Sequence, residues 1–152
     1  MIRVQKEAFD TGAELVKLKR GRTDIGGTAI FVGTMRDFSD GTRISTMTLE
    51  HYPGMTEKAL TEIDNEAHRR WPLLDTLIVH RHGTLEPGDD IVLVIATSVN
   101  REAALEACHF LIDWLKTKAP FWKMEEGPQG ENWVAAKTSD DESAARWEKQ
   151  QN

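Results

Sequence analysis

The chain has 152 residues, of which 39% are hydrophobic and 29% are charged, and these values favour one globular domain over residues 1–152. The formal net charge of -6 argues against a broad nucleic-acid-binding surface, and a single cysteine excludes an intrachain disulfide. The N-terminal segment lacks the apolar core of a signal peptide, and no apolar run reaches the roughly 18 residues needed to span a bilayer. We therefore expect a cytoplasmic protein that binds neither nucleic acid nor a membrane.

The first half of the chain combines short strands with two helices. Strands are expected at residues 2–5, 28–36 and 43–52, with turn chemistry in the DFSDG segment at 37–41. Asp10 is a suitable N-cap for a first helix that ends near Gly21. Apolar residues recur every four positions from Met55 to Ala67 and predict an amphipathic second helix, which Pro72 ends.

The second half begins with a predicted antiparallel hairpin and then a long helix. Strands are expected at 74–83, 90–99, 121–125 and 132–137, and a short helix at 144–148. The apolar run IVLVIA at 91–96 does not alternate, which indicates a strand covered on both faces. Asn100 caps the long helix, and Pro120 follows its end. The order of the elements predicts an α+β fold with mostly antiparallel pairing.

The segment LKTKAPFWKME at 115–125 carries the strongest chemical signal. Lys116 lies in the last helical turn and Lys123 in the following strand, and Pro120 forces the chain out of the helix between them. This reversal can bring both lysines to one pocket, where a lysine near cations or apolar walls acts as a base or nucleophile or holds an anion. The alternative is a solvated helix terminus, where lysines favour the helix dipole.

Two further junctions suit an anionic ligand. At Asn100 and Arg101 a buried strand meets a helix N-terminus, whose free N–H groups and dipole attract anions. Arg36 follows a strand beside a glycine-containing segment, where a guanidinium suits the fork-shaped recognition of phosphate. The alternatives are an ordinary Asn cap beside a surface arginine, and an ion pair between Arg36 and Asp37.

The remaining candidate residues are more typical of structural roles. His80 and His82 lie on one strand face, but two histidines without further cysteine or carboxylate ligands make a poor metal site. Cys108 falls on the apolar face of the long helix, which is typical of a small core residue rather than a nucleophile. We expect no metal and no cofactor.

Six segments, each weak alone, form an ordered set over most of residues 28–137. They are FVGTMRD (31–37), LEHYPGM (49–55), EAHRRWP (66–72), HRHGTLEPGD (80–89), LKTKAPFWKME (115–125) and GENWV (130–134). In this order they resemble the large, catalytic subunit of molybdopterin synthase, and the lysine segment is the most specific of them.

The resemblance implies an α/β hammerhead-type domain with a mostly antiparallel sheet and an added antiparallel subdomain. It implies a sulfurtransferase of molybdenum cofactor biosynthesis, which adds two sulfur atoms to cyclic pyranopterin monophosphate and so makes the molybdopterin dithiolene. The sulfur would arrive as the C-terminal Gly-Gly thiocarboxylate of a small ubiquitin-like subunit. The assembly would be a heterotetramer around a homodimer of this chain.

The resemblance also implies site residues. Lys116 would orient the thiocarboxylate and activate its attack, and Lys123 would bind substrate and transfer protons. The full set of substrate-binding positions would be Thr34, Met35, Arg36, Asn100, Arg101, Lys116, Lys123, Met124, Glu125 and Lys137. Asn100 stands where the family usually has histidine, so this chain keeps the helix cap without the imidazole. Lys137 is expected to reach the pocket of the neighbouring subunit.

The competing interpretation is a non-catalytic binding module that docks a ubiquitin-like tail or a nucleotide. Such a module would keep the arginine pocket but would not need two lysines. The presence of both Lys116 and Lys123 favours the enzyme.

Overall fold

The structure is a computed structural model that describes residues 1–134 and 138–148. Its elements, in chain order, are β1 (Ile2–Gln5), α1 (Thr11–Lys19), β2 (Gly27–Thr34), β3 (Phe38–Ser39), β4 (Thr42–Arg43), β5 (Thr46–His51), α2 (Met55–Arg70), β6 (Leu73–Arg81), β7 (Gly83–Leu85), β8 (Asp90–Ser98), α3 (Arg101–Lys118), β9 (Phe121–Gly127), β10 (Gly130–Val134) and α4 (Thr138–Glu148). No helix within these ranges is long and apolar enough to cross a membrane.

The first sheet has four strands in the order β1-β6-β8-β2, with β1 parallel to β6 and the other two pairs antiparallel. Alternate side chains of β8 enter two different cores. Val92 and Val94 pack towards α2 and α3, while Leu93 and Ile95 pack towards α1. The prediction that this strand is covered on both faces is therefore confirmed, and the strand cannot alternate in polarity because neither face meets water.

The first three helices begin where the sequence predicts. The side chain of Asp10 accepts a hydrogen bond from the Ala13 amide at 2.9 Å, and that of Asn100 accepts one from the Ala103 amide at 2.8 Å. Each cap satisfies an N–H group that has no partner inside its own helix. Helix α3 runs to Lys118, and a buried stripe that includes Cys108 and Leu115 packs it onto β2 and β8.

The second sheet has the order β10-β9-β5-β7 and is antiparallel throughout the described strands. Its core is a small cluster made of Met35, Ile44, Met47, Leu49 and Leu85. The predicted strands near 74–83 and 90–99 do pair with each other, but the segment between them is more than a turn. It contains β7, which leaves the first sheet and joins the second. Both sheets are mostly antiparallel, and helices pack on the first of them, which confirms the α+β class.

Among the predicted boundaries that change, the largest differences concern two strands and the last helix. The strand expected at 28–36 ends at Thr34, because the pairing with β8 shifts register between Gly33 and Thr34. The strand expected at 43–52 is divided, and β3 and β4 form a separate hairpin around Asp40 and Gly41, whose φ angles of 49° and 79° suit a tight two-residue turn.

The C-terminal helix is also longer than the predicted 144–148. It begins at Thr138 and is fixed by Trp147, which is buried against α2 and α3. The Trp147 indole donates a hydrogen bond to Asp113 at 2.8 Å. Lys137, together with residues 135 and 136 of the predicted last strand, lies outside the described residues.

Candidate active site

A cavity of about 360 Å³ lies where the end of β2, the last turn of α3 and the covered face of the second sheet meet. Side chains of Arg36, Lys116 and Lys123 line it, together with the carboxylates of Glu125 and Asp140. Three cations thus face one cavity in a chain whose net charge is negative. Such a local excess of positive charge attracts an anionic ligand.

The two lysines reach the cavity by the route that the sequence predicts. Lys116 lies in the last turn of α3, and Lys123 lies in β9 after the chain leaves the helix at Pro120. Strand alternation then directs Phe121, Lys123 and Glu125 to the same face. Opposite Lys123 and Glu125 on β5 stand Leu49 and Met47, so the lysine lies beside an apolar floor.

Glu125 holds one of these lysines. Its Oε1 lies 3.1 Å from Nζ of Lys123, and the two side chains are 11% and 36% exposed respectively. A buried carboxylate needs such a partner, because an isolated charge away from water is costly. Glu125 therefore fixes Lys123 over the cavity and offers a proton acceptor beside it.

The end of β2 is anchored before Arg36. The Met35 amide donates to the Asp89 carbonyl at 2.8 Å, and the Gly88 amide donates to the Met35 carbonyl at 2.8 Å. The Thr34 hydroxyl donates to Asp90 at 2.9 Å. Met35 is buried, so the exposed Arg36 extends to the cavity from a backbone that is held on both sides.

Asn100 and Arg101 are not brought to this cavity within one chain. They begin α3, whereas Lys116 lies in its last turn, and a rise of about 1.5 Å per residue separates the two ends of the helix by about 20 Å. Arg101 also lies beside the start of β2, since a Cβ on Gly27 would be 3.0 Å from its Cα. The cavity is at the other end of that strand. The expectation of one pocket made by Arg36 and Arg101 together therefore does not hold inside a single chain.

Met124 is placed on the other face of the second sheet. It is the cross-strand neighbour of Trp133 on β10 and Thr48 on β5, and none of these three lines the cavity. The physical reason is the two-residue period of a strand, which cannot direct Lys123, Met124 and Glu125 to one side. Lys137 lies outside the described residues.

The sequence interpretation missed several residues of the cavity wall. Phe38 and Ser39 come from the β3–β4 hairpin, Asp140 from α4, and His80 and Phe121 from the two sheets. His80 is 4% exposed, and burial lowers its pKa to about 3. A signal was available for His80, because it ends an apolar strand on the same side as the buried Ile78.

A second cavity, of about 380 Å³, adjoins the first and lies between the β3–β4 and β9–β10 hairpins. The two cavities share Ser39, Ile44, Glu125 and Val134. The two cavities therefore meet at these shared residues.

The single thiol is remote from this chemistry. Cys108 is buried against β8, and burial raises its pKa to about 11. It is therefore a thiol at neutral pH, and a thiol is a poor nucleophile compared with a thiolate. Within the described ranges, no group of three or more His, Cys, Asp or Glu side chains is arranged to hold a metal ion.

Comparisons with known proteins show relatives over most of the chain. A family model described as MoaE protein matches residues 4–118. A molybdopterin synthase catalytic subunit from Pseudomonas aeruginosa is 54% identical, over 97% of this chain and 98% of its own length.

Solved structures with a similar fold are also found. A molybdopterin biosynthesis MoaE protein from Burkholderia ambifaria superimposes with a TM-score of 0.83 and 50% identity, over 97% of each chain. A complex of subunits 1 and 2 of molybdopterin-converting factor from Helicobacter pylori is similar with a TM-score of 0.72 and 21% identity, over 88% of this chain and 89% of that one. The latter likeness concerns the fold.

Proposed function

Because this chain belongs to the MoaE family, whose curated relatives are molybdopterin synthase catalytic subunits, we propose that it transfers sulfur to a pterin substrate. The substrate is cyclic pyranopterin monophosphate, and two transfers make the dithiolene of molybdopterin. The observation that carries the proposal is the convergence of Lys116, Lys123 and Arg36 on one cavity. A binding module would need the anion site but not two lysines beside it.

The sulfur donor is a small ubiquitin-like subunit that ends in a Gly-Gly thiocarboxylate. The thiocarboxylate sulfur forms a bond to a carbon of the pterin side chain and replaces an oxygen there, and water then cleaves the acyl–sulfur bond. The sulfur stays on the pterin as a thiolate, and the tail ends as a carboxylate. Both forms of the tail are anions, so a lysine that faces the cavity can orient them. The joined cavities support this proposal, since tail and pterin must occupy the site together.

Each cation has a separate task in this mechanism. Lys116 orients the thiocarboxylate sulfur and activates its attack on the pterin side chain. Lys123 binds the substrate and moves protons, with Glu125 as its neighbouring acceptor at 3.1 Å. Arg36, at the rim, suits the substrate phosphate because a guanidinium binds phosphate through two parallel hydrogen bonds.

We infer that Arg101 and the Asn100 cap act from a second copy of this chain. Arg101 lies about 20 Å from Lys116 along α3, at the opposite end of β2 from Arg36, so a phosphate held by both Arg36 and Arg101 needs two subunits. A homodimer inside a heterotetramer would supply that arrangement, and Lys137 is proposed to cross in the same way. We keep the cytoplasm as the expected location, since a chain with one buried cysteine gains nothing from an oxidising compartment.

The direct test is incubation of the purified chain with a thiocarboxylated partner and the pterin precursor, followed by an assay for molybdopterin. The expected result is product that depends on the thiocarboxylate. A partner that ends in an ordinary carboxylate is the control. Tight binding of both ligands without product would favour the binding module instead.

The second copy is tested by mixing Lys116→Ala with Arg101→Ala, at a pterin concentration so low that neither variant alone makes much product. If Arg101 acts across a dimer, half of the dimers are mixed and each has one intact site, so about a quarter of full activity returns. If Arg101 acts within its own chain, no site is intact and activity stays absent.

Asn100→His should change turnover only modestly, because the helix end works through backbone donors.

A further inference from the structure

His80 is a polar side chain in an unusual position. It is 4% exposed at the end of β6, yet it lines the cavity that holds Lys116 and Lys123. Most other side chains at this depth of the first sheet are aliphatic. A buried imidazole therefore stands next to the proposed reaction site, and the mechanism above gives it no task.

Two contacts fix the orientation of the ring. Nδ1 lies 2.8 Å from the Arg81 carbonyl oxygen. A carbonyl can only accept, so Nδ1 donates and carries the hydrogen, which leaves a lone pair on Nε2. The ring also stacks on Phe121, with centroids 3.8 Å apart and planes at 18°. The imidazole is thus held from one edge and from one face.

The surroundings keep the ring neutral. Burial is the main cause of its lowered pKa, and the charged forms of Lys116, His51 and His82 act in the same direction, against the Arg81 carbonyl. Near neutral pH, Nε2 is consequently a hydrogen-bond acceptor with no competing donor form. Of the three side chains Lys116, His51 and His82, Lys116 is the one that lines the same cavity as His80.

We propose that His80 is a positioning residue for Lys116: its Nε2 accepts a hydrogen bond from the ε-amino group and fixes where that group meets the sulfur donor. This inference rests on the proposed function of Lys116. An ammonium carries three donors on a flexible stem, so one hydrogen bond to a rigid ring orients the other two. The role requires no change of protonation at His80.

Two substitutions separate this role from a structural one. In His80→Asn, the amide nitrogen can stand near the position of Nδ1 and keep the bond to Arg81, but nothing replaces Nε2. In His80→Gln, the longer amide can place its oxygen near Nε2 and lose the other bond. We expect Gln to keep kcat within about threefold of wild type and Asn to lose about tenfold or more, with KM for the pterin little changed. Thermal stability should follow the opposite order, with Asn above Gln.

An activity order of Asn equal to or above Gln would overturn the proposal and leave a structural histidine. The matched control is His82, a half-buried neighbour that contacts His51 but does not line the cavity. Its Asn and Gln variants should not differ in kcat. If the wild-type chain makes no molybdopterin at all, the proposed function fails, and that result is distinct from either order.

A measurement without turnover keeps the inference testable if a His80 variant does not fold. The ¹⁵N resonance of Nε2 in histidine-labelled protein reports a hydrogen bond to that nitrogen. We expect the His80 signal to shift in Lys116→Met, which leaves His80 in place, while the His82 signals stay unchanged. An unchanged His80 signal would show that the lysine does not bond to it.

Discussion

The two four-stranded sheets differ in how their faces are covered. In the first sheet, Leu93 and Val94 of β8 are both fully buried although they point to opposite sides. In the second sheet only one face is covered, and Trp122 and Trp133 are 44% and 62% exposed on strands β9 and β10. Both faces of the first sheet form hydrophobic core, whereas the covered face of the second sheet lines the cavity. Helix α3 serves both, because its buried stripe packs on the first sheet and its last turn carries Lys116.

The largest expected effect is on activity, at the cavity. Lys116→Ala should reduce sulfur transfer by about 10² to 10⁴, the usual range for a lost proton-transfer or activating group. The free energy of unfolding should fall by at most about 1–3 kcal/mol, the cost of leaving the buried Nε2 of His80 without its proposed donor, because the Lys116 residue is otherwise exposed. Steady-state kinetics and urea unfolding measure the two quantities.

Lys118→Ala is the matched control, since Lys118 lies in the same helical turn and pairs with Glu148 instead of lining the cavity. Lys123→Ala should reduce sulfur transfer severely but leave some activity. Wild-type turnover in Lys116→Ala would end the catalytic assignment.

The reverse pattern is expected in the first sheet. Leu93→Ala should cost about 2–5 kcal/mol of unfolding free energy, because it opens a hole in the core between β8 and α1. Turnover per folded molecule should be unchanged. Leu105→Ala is the control, as Leu105 is 61% exposed on α3 and its loss should be nearly neutral. A fall in turnover of folded Leu93→Ala would break the division between the sheets.

His80 belongs to the first sheet and also lines the cavity, and we expect its titration to make stability depend on pH. The unfolded chain binds a proton at His80 near pH 6.5, while the folded chain does so only near its lowered pKa of about 3. Stability at this site is therefore complete above pH 6.5 and is lost as pH falls towards 3, at about 1.4 kcal/mol per pH unit.

Urea unfolding of wild type and His80→Gln at pH 7 and pH 5 tests this sign. The stability advantage of wild type should shrink by about 2 kcal/mol between the two pH values, because glutamine does not titrate. An equal advantage at both values would show that His80 is protonated in the fold.

The smallest effect is expected at Cys108. Cys108→Ala should keep full sulfur transfer and lose about 1 kcal/mol of stability, since it removes one small buried group from the α3 stripe. Loss of transfer in a folded variant would mean that a persulfide on this chain carries sulfur. Product assays with thiocarboxylated partner decide between the two.

Local chemistry made much of the fold predictable. Helix caps and chain reversals depend on residues that are neighbours in sequence. The caps Asp10 and Asn100 and the reversal at Pro120 could therefore be predicted from the local sequence. The sequence interpretation could not place β7, whose three residues join a sheet set by distant strands. It also could not separate Arg101 from Arg36, because the antiparallel pairing of β2 with β8 places Arg101 beside the start of β2 and Arg36 beyond its end.

The strand order β1-β6-β8-β2 has a consequence for protein synthesis. Strands β1 and β2 are made early, yet their partners begin only at Leu73 and Asp90. A nascent chain that has emerged as far as α2 carries both strands without any partner in the first sheet. Ile30 and Phe31 of β2 are then exposed on a strand that can pair with other chains. Slow translation across residues 35–98 would prolong that interval, and we expect it to favour chaperone capture or aggregation over native folding.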